Sequence, residues 1–339
     1  MLDESQRAGL ETHLAGVLGA KSVRITNVKR FHGGASRETF GIDTEVDGVP
    51  QGFIMRRDPA DSLIDTDRNV EYNAYSSYEG TAVPVPKAYC LVNDDNVIGQ
   101  PFFIMERIMV GEPASPFDPL AYGEHREAIG RKFFSILGAI HARDAASSPL
   151  AAVAPVPEQC WKRELDYWAN EVDKDSLEPQ PIAQGVVRWL RANPPPEPKK
   201  ITIVHADYRT GNVLHDGNGN ITAVLDWEMA HLGDPHEDLA WAMDPLWNVH
   251  DDDRAAGLIS RAEAIGLWEE ASGLTFDPVA FRWWEMWATV KGLGIWVSAE
   301  KAFVDGLNPD PILQFSGLYP TLHANMTMAR RMAALKEAL

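Results

Sequence analysis

The stretch ITIVHADYRTGNVLHDGNGNITAVLDWE, from Ile201 to Glu228, constrains this chain more than any other. ITIVH reads as a strand running into a polar loop. NVLH and ITAVLDW read as two further short strands, joined through Asp216-Gly-Asn-Gly-Asn220, whose residues tolerate the unusual backbone angles of a turn. Antiparallel pairing across that turn brings the end of the second strand back to the polar loop, so Asp207, Asn212 and Asp226 converge despite their separation.

The flanking sequence falls into two parts. Early segments VRITNV, ETFGIDTEV and QGFIMRR resemble short strands of a small sheet, separated by Gly-containing turns. VEYNAYSSYEG is a short helix that can bury Tyr72 and Tyr75; the following VPVP run ends it, and PFFIMERIMV returns to strand character. From about Tyr122 the pattern turns helical, with one apolar stripe at Ile129, Phe133, Leu137 and Ile140 and another at Trp161, Leu165 and Trp168. Asn193-Pro-Pro-Pro-Glu-Pro198 cannot continue a helix and is a connector into the 201–228 segment. The expected class is therefore α+β, with two lobes: residues 1–107 as a small antiparallel-sheet lobe, and residues 108–339 as a larger, mainly helical lobe carrying the hairpin at 201–228.

Charge limits the partners. The 339 residues carry 49 Asp and Glu against 31 Lys and Arg, a formal charge of −18, which opposes a broad nucleic-acid surface or stable association with an anionic membrane. The two cysteines, Cys90 and Cys160, form neither a disulfide framework nor a metal motif, and the N-terminal MLDESQRAGLETH lacks a long apolar segment, so a cytoplasmic location is the default expectation. The charge is segregated. Lys21, Arg24, Lys29, Arg30 and Arg37 occur with no intervening acid, whereas Asp226 to Asp253 holds nine acids and no Lys or Arg. For most of these residues the expected role is solubilising surface charge.

The converging groups suit metal-assisted phosphoryl transfer. Asp207 can orient or deprotonate a substrate hydroxyl, Asn212 can offer its carbonyl oxygen to magnesium, and Asp226 can bind the metal that bridges nucleotide phosphates. Considered singly, each aspartate is more simply a turn or surface acid; the ordered combination carries the reading. Asp234 and Asp238 are expected to organise the loop or cap the next helix, and His205 to orient rather than ligate.

HADYRTGNVLHDGNGNITAVLDWEMAHLGDPHEDLAW resembles the catalytic core of the aminoglycoside phosphotransferase-like family, within the protein-kinase-like superfamily. FHGGASRETF resembles that family's nucleotide-covering turn, FIMRR its phosphate-pairing strand, VEYNAY its small-lobe helix and PFFIMERIMVGE its interlobe hinge. The resemblance covers most of residues 20–245 and implies a bilobal protein-kinase-like fold using ATP and Mg2+. It implies Asp207 as the catalytic base, Asn212 and Asp226 as magnesium ligands, Arg56 as the phosphate-pairing residue and Glu71 as its helix partner. Gly33 and Gly34 would cover the phosphates through their amides, and Met105, Glu106 and Arg107 would meet the base. Two departures are visible: Arg56 stands where many related kinases have lysine, and Ala206 replaces the glycine of the usual His-Gly-Asp. Glu228 is open between assisting a second metal and joining a hydrogen-bond network.

The implied activity is transfer of the γ-phosphoryl group to a hydroxylated small molecule. Aminoglycosides, hydroxyacyl-CoAs and proteins are narrower alternatives as acceptor, and a nucleotide-binding regulator without turnover is the alternative from another class. Eight of eleven tryptophans fall from Trp227 onward; core packing and an acceptor pocket both fit them.

Overall fold

The computed structural model describes residues 2–31, 37–58, 67–115, 118, 120–248 and 254–337; Gly33 and Gly34 lie outside them. The chain begins with α1 (Glu4–Leu18), entered through a capping box in which the Asp3 side chain accepts from the Gln6 amide and the Gln6 side chain accepts from the Asp3 amide. Five strands follow: β1 (Val23–Phe31), β2 (Glu38–Val46), β3 (Val49–Arg57), β4 (Ala88–Val92) and β5 (Phe102–Glu106), interrupted by α2 (Arg68–Tyr78). They form one antiparallel sheet in the order β1-β2-β3-β5-β4. Leu10 and Leu14 of α1 close one face over Ile42, Phe53, Met55 and Ile104, a separate small core. Helix α2, with Tyr75 and Tyr78, belongs with Phe103 and Met105 to the main core of the later lobe.

After Glu106 the chain leaves the sheet, and β6 (Glu112–Pro113) pairs with the central hairpin. The helices α3 (Arg126–Ala142), α4 (Cys160–Asp175) and α5 (Pro181–Ala192) bury the apolar stripes read from sequence: Ile129, Phe133, Leu137 and Ile140 in α3, Leu165 and Trp168 in α4. Residues 194–198 are irregular, as consecutive prolines require. Then come β7 (Thr202–Val204), β8 (Val213–His215), β9 (Ile221–Val224) and β10 (His231–Gly233). Strands β8 and β9 form the hairpin, with Val213 opposite Val224, and β7 pairs with β10. Four helices complete the chain: α6 (Pro235–Ala242), α7 (Arg261–Ser272), α8 (Pro278–Val304) and α9 (Pro311–Glu337). Among the described residues no helix is long and apolar enough to cross a membrane.

Two expectations are corrected or resolved by packing. The acids of the 226–244 run do not form a solvated surface: Asp234, Glu237, Asp238 and Asp244 are buried, and Asp226 and Glu228 are half-buried. The late tryptophans are mostly core, because α8 is packed by α4, α6 and α9 on several faces. Trp283, Trp284 and Trp287 are all buried there, their i,i+3 and i,i+4 spacings placing them within one stripe of the helix.

Close helix contact sets one test. A Cβ on Gly138 of α3 would lie 2.8 Å from the Trp268 carbonyl oxygen and 3.1 Å from the Ser272 amide of α7. Gly138→Ala is expected to lower unfolding stability by about 1–3 kcal/mol. Gly266→Ala, on the exposed side of α7 with nothing within 4 Å, is expected to raise it by roughly 0.5–1 kcal/mol. Urea denaturation of both variants checks the contrast.

Candidate active site

The loop between β7 and β8 is fixed by its backbone. Asp238 of α6 places both carboxylate oxygens on it: Oδ2 accepts from the His205 amide and Oδ1 from the Ala206 amide, each at 2.7 Å. Asp238 also faces His141 Nε2 at 3.2 Å, and His141 Nδ1 accepts from the Trp268 indole at 2.8 Å. Burial opposes the charge on Asp238, yet the His141 contact and the His205 amide carry its pKa below the ordinary carboxylate value. His205 is held as the neutral tautomer with its proton on Nε2. Its Nδ1 accepts from the Asp207 amide at 3.1 Å and Nε2 donates to the Leu225 carbonyl at 2.9 Å, while burial pushes its pKa down.

Ala206 adopts φ 68°, a left-handed conformation that glycine takes without strain. This turn presents Asp207, whose carboxylate is surrounded by donors. Asn212 Nδ2 lies 2.7 Å from Oδ2, Trp241 Nε1 2.8 Å from Oδ1, and Arg209 Nε 3.2 Å from both. Asn212 Nδ2 also reaches the Asp207 carbonyl at 2.9 Å, so Oδ1 is the side-chain atom left to Asn212 for another partner. Across the hairpin, the Leu225 amide donates to the Asn212 carbonyl at 2.8 Å, which sets Asn212 beside Asp226.

Asp226 is also left-handed, φ 66°, and its amide donates to the Tyr75 hydroxyl at 3.0 Å. Its carboxylate meets Arg56 of β3. The Arg56 guanidinium bridges the lobes, donating through Nη1 to Glu71 at 2.5 Å and Asp226 at 3.1 Å, and through Nη2 to Glu228 at 3.0 Å. Among the described residues its Nε is buried without a partner. Burial opposes ionisation of Asp226, but Arg56, with Arg209 and His205, holds its pKa below the usual range. Glu71 is fully buried and also accepts from Arg37 Nε at 2.9 Å.

The structure thus gathers Asp207, Asn212, Asp226, Arg56 and Glu71 at one junction of the lobes. Met105 and Glu106 end β5, and the Glu106 amide is engaged by the Lys87 carbonyl at 2.8 Å. The Arg107 side chain turns back across Gly52 onto Asp43 at 2.5 Å, away from this junction. Arg209, Trp241 and Lys291 are neighbours of the site that the sequence did not single out, and Arg37 stood out there only as part of the early basic run. Arg209 alone carried a signal, two positions after Asp207 in the same loop.

Hard oxygen donors, Asn212 Oδ1 and the Asp226 and Glu228 carboxylates, suit magnesium. A second group within ligating reach is Glu164, His231 and Glu237. Here both ring nitrogens of His231 face acceptors, the Met229 carbonyl at 3.0 Å and Glu237 at 3.1 Å, with Glu164 at 3.6 Å. Burial opposes its charge, but the two glutamates hold the His231 pKa above its ordinary value, which makes the group an internal ion cluster.

A small antiparallel sheet over a helical lobe, with loop and hairpin at their junction, is a bilobal protein-kinase-like fold. A candidate aminoglycoside phosphotransferase from Ralstonia eutropha shares it, with TM-score 0.78 and 24% identity, covering 98% of this chain and 99% of that one. The chain belongs to the phosphotransferase enzyme family, whose description matches residues 27–274. It is also similar to mouse acyl-CoA dehydrogenase family member 10, 28% identical over 69% of this chain and 22% of that protein. Human acyl-CoA dehydrogenase family member 11 is 25% identical over 80% of this chain and 35% of its own length. The chain therefore spans about a quarter to a third of these curated relatives.

The anchoring carboxylate gives a test. Asp238→Asn leaves one acceptor oxygen for two amides and is expected to cost about 1–3 kcal/mol at pH 7 by chemical denaturation. Because the folded pKa is depressed from 3.8, the wild-type contribution is present above that value and lost as pH falls through the lower one. The stability of Asp238→Asn is expected to lack this part of the acid limb.

Proposed function

We propose that the protein transfers the γ-phosphoryl group of ATP, with magnesium, to a hydroxyl of a small molecule. The observation that carries this reading is the convergence of Asp207, Asn212 and Asp226 at the lobe junction, each held by its own backbone or side-chain contacts. Asp207 would bind the acceptor hydroxyl and take its proton as the oxygen–phosphorus bond forms and the bond to the ADP oxygen breaks. Its position is set by Asn212 and Trp241, so little reorganisation accompanies proton transfer. Asn212 and Asp226 would hold magnesium, with Glu228 beside them. Bound there, the ion supplies neutralisation of phosphate-oxygen charge.

Arg56 would turn part of its guanidinium from Asp226 and Glu228 toward phosphate, keeping Glu71 as anchor. Residues 1–107 would hold the nucleotide, with Gly33 and Gly34 over the phosphates and the backbone of Met105, Glu106 and Arg107 at the base. Residues 108–339 would bind the acceptor.

A hydroxyacyl-CoA acceptor is favoured over a cationic aminoglycoside. The mouse and human relatives described above carry acyl-CoA dehydrogenase in their names, although another relative is a viomycin phosphotransferase. Several acids that would attract a polycation are committed elsewhere: Asp234 caps α6 and accepts from Trp284, Glu237 faces His231, and Asp238 holds the loop.

Mass spectrometry of reactions containing Mg2+, ATP and either a hydroxyacyl-CoA series or aminoglycosides checks the assignment. A phosphate monoester of the CoA thioester is expected. Asp207→Asn and Asp226→Asn are expected to lower its formation by about 10²–10⁴-fold, with circular dichroism showing an intact fold. Full transfer by both folded variants would contradict the reading, and nucleotide binding without any product would favour a regulator.

A further inference from the structure

Lys291 lies in α8 with no exposed surface. An ammonium group out of water is costly unless compensated. Its compensation comes from three aromatic faces and two oxygens. Nζ sits over Trp241 at 4.9 Å, Trp287 at 5.2 Å and Trp168 at 5.7 Å from the ring centroids. It donates to the Ala206 carbonyl and lies 3.9 Å from Glu237. Space on α8 is kept open by glycine, since a Cβ on Gly294 would sit 2.8 Å from the Trp168 ring.

Two of these contacts lead to Asp207 by separate routes. The Ala206 carbonyl belongs to the peptide that joins Ala206 to Asp207, and Ala206 is a non-glycine residue held in the left-handed region. Trp241, whose face rests on Lys291, donates its indole proton to Asp207 Oδ1. Asp238 fixes the amide side of Ala206 while Lys291 fixes its carbonyl side. One buried cation therefore bears on the backbone orientation of Asp207 and on the donor that sets its carboxylate.

We infer that Lys291 and Trp241 are positioning residues for Asp207, a buried cation–indole brace that fixes the loop carrying the proposed base. The inference rests on the reading of Asp207 given above. Neither side chain needs to touch substrate. Lys291 replaces the conformational freedom that glycine would supply at position 206 with a hydrogen bond that holds the strained peptide in place. Trp241 leaves Asp207 Oδ2 to Asn212 and occupies Oδ1 from the helical side, which fixes the rotation of the carboxylate.

The test measures Mg-ATP turnover to ADP, with a hydroxyacyl-CoA or water as acceptor, in the whole chain. Trp241→Phe keeps the aromatic face and removes the indole donor. It is expected to lower kcat by about 10- to 100-fold while the KM for Mg-ATP stays within about twofold. Trp283→Phe is the control, since its indole donates at 3.2 Å to the Leu190 carbonyl, and it is expected to keep wild-type kcat. Lys291→Met is expected to lower kcat and move the Trp241 indole proton resonance in an 15N-edited spectrum. Trp241→Phe matching Trp283→Phe in kcat would overturn the inference even if Lys291→Met fails to fold. Asp207→Asn separates the two levels: undiminished turnover in that variant defeats the reading of Asp207 itself, whereas its loss with Trp241→Phe unaffected defeats only the brace.

Discussion

Both oxygens of the Asp238 carboxylate accept backbone amides of the β7–β8 loop, and the arrangement of the site depends on this pairing. A carboxylate can be buried when its lone pairs are met by donors of fixed geometry, and two successive peptide amides supply that. The pairing orients His205 and Ala206, after which the turn at Ala206 points Asp207 toward the hairpin. Support extends outward through His141 to Trp268, which ties the loop to α3 and α7. The loop is therefore held from α6, with support from α3, α7 and α8, in addition to the hydrogen bonds within it.

The same logic accounts for the acidic run. Acids placed within a short stretch are expected to repel one another and seek solvent, yet Asp234, Glu237 and Asp238 are buried with specific donors. Asp234 accepts from the Trp284 indole at 2.9 Å, Glu237 faces His231 and Lys291, and Asp238 binds amides. At the other side of the junction the polarity reverses: Arg56 and Arg37 converge on buried Glu71. The charge of these buried groups is thus internal structure, paired across elements, and says little about the field that an approaching ligand meets.

Local patterns made much of the fold legible. VRITNV, ETFGIDTEV and QGFIMRR read as strands because β-branched and aromatic residues are bounded by turn glycines, and they are β1, β2 and β3. The proline run marks the break before β7, and the Gly-rich turn marks the β8–β9 hairpin, since both act through their own backbone restrictions. Helix α1 was not read, although Asp3 and Gln6 carry its capping signal, because it buries only Leu10 and Leu14 and so shows little periodicity. Asp207, Asn212 and Asp226 could be grouped because one hairpin brings them together. Trp241 and Lys291 could not, because their contacts span 34 and 85 positions and depend on how α6 and α8 cross beneath the loop. In sequence, the tryptophans gave no way to tell Trp241 from its buried neighbours.

The central claim is that the metal and nucleotide meet at Asn212 and Asp226. It is tested most directly by paramagnetic relaxation, with Mn2+ and a non-hydrolysable ATP analogue added to isotopically labelled protein. The account requires the strongest broadening at the Asn212 side-chain amide, with the Trp241 indole next and the His231 ring little affected. Broadening centred on His231, within the Glu164 and Glu237 cluster, would contradict it.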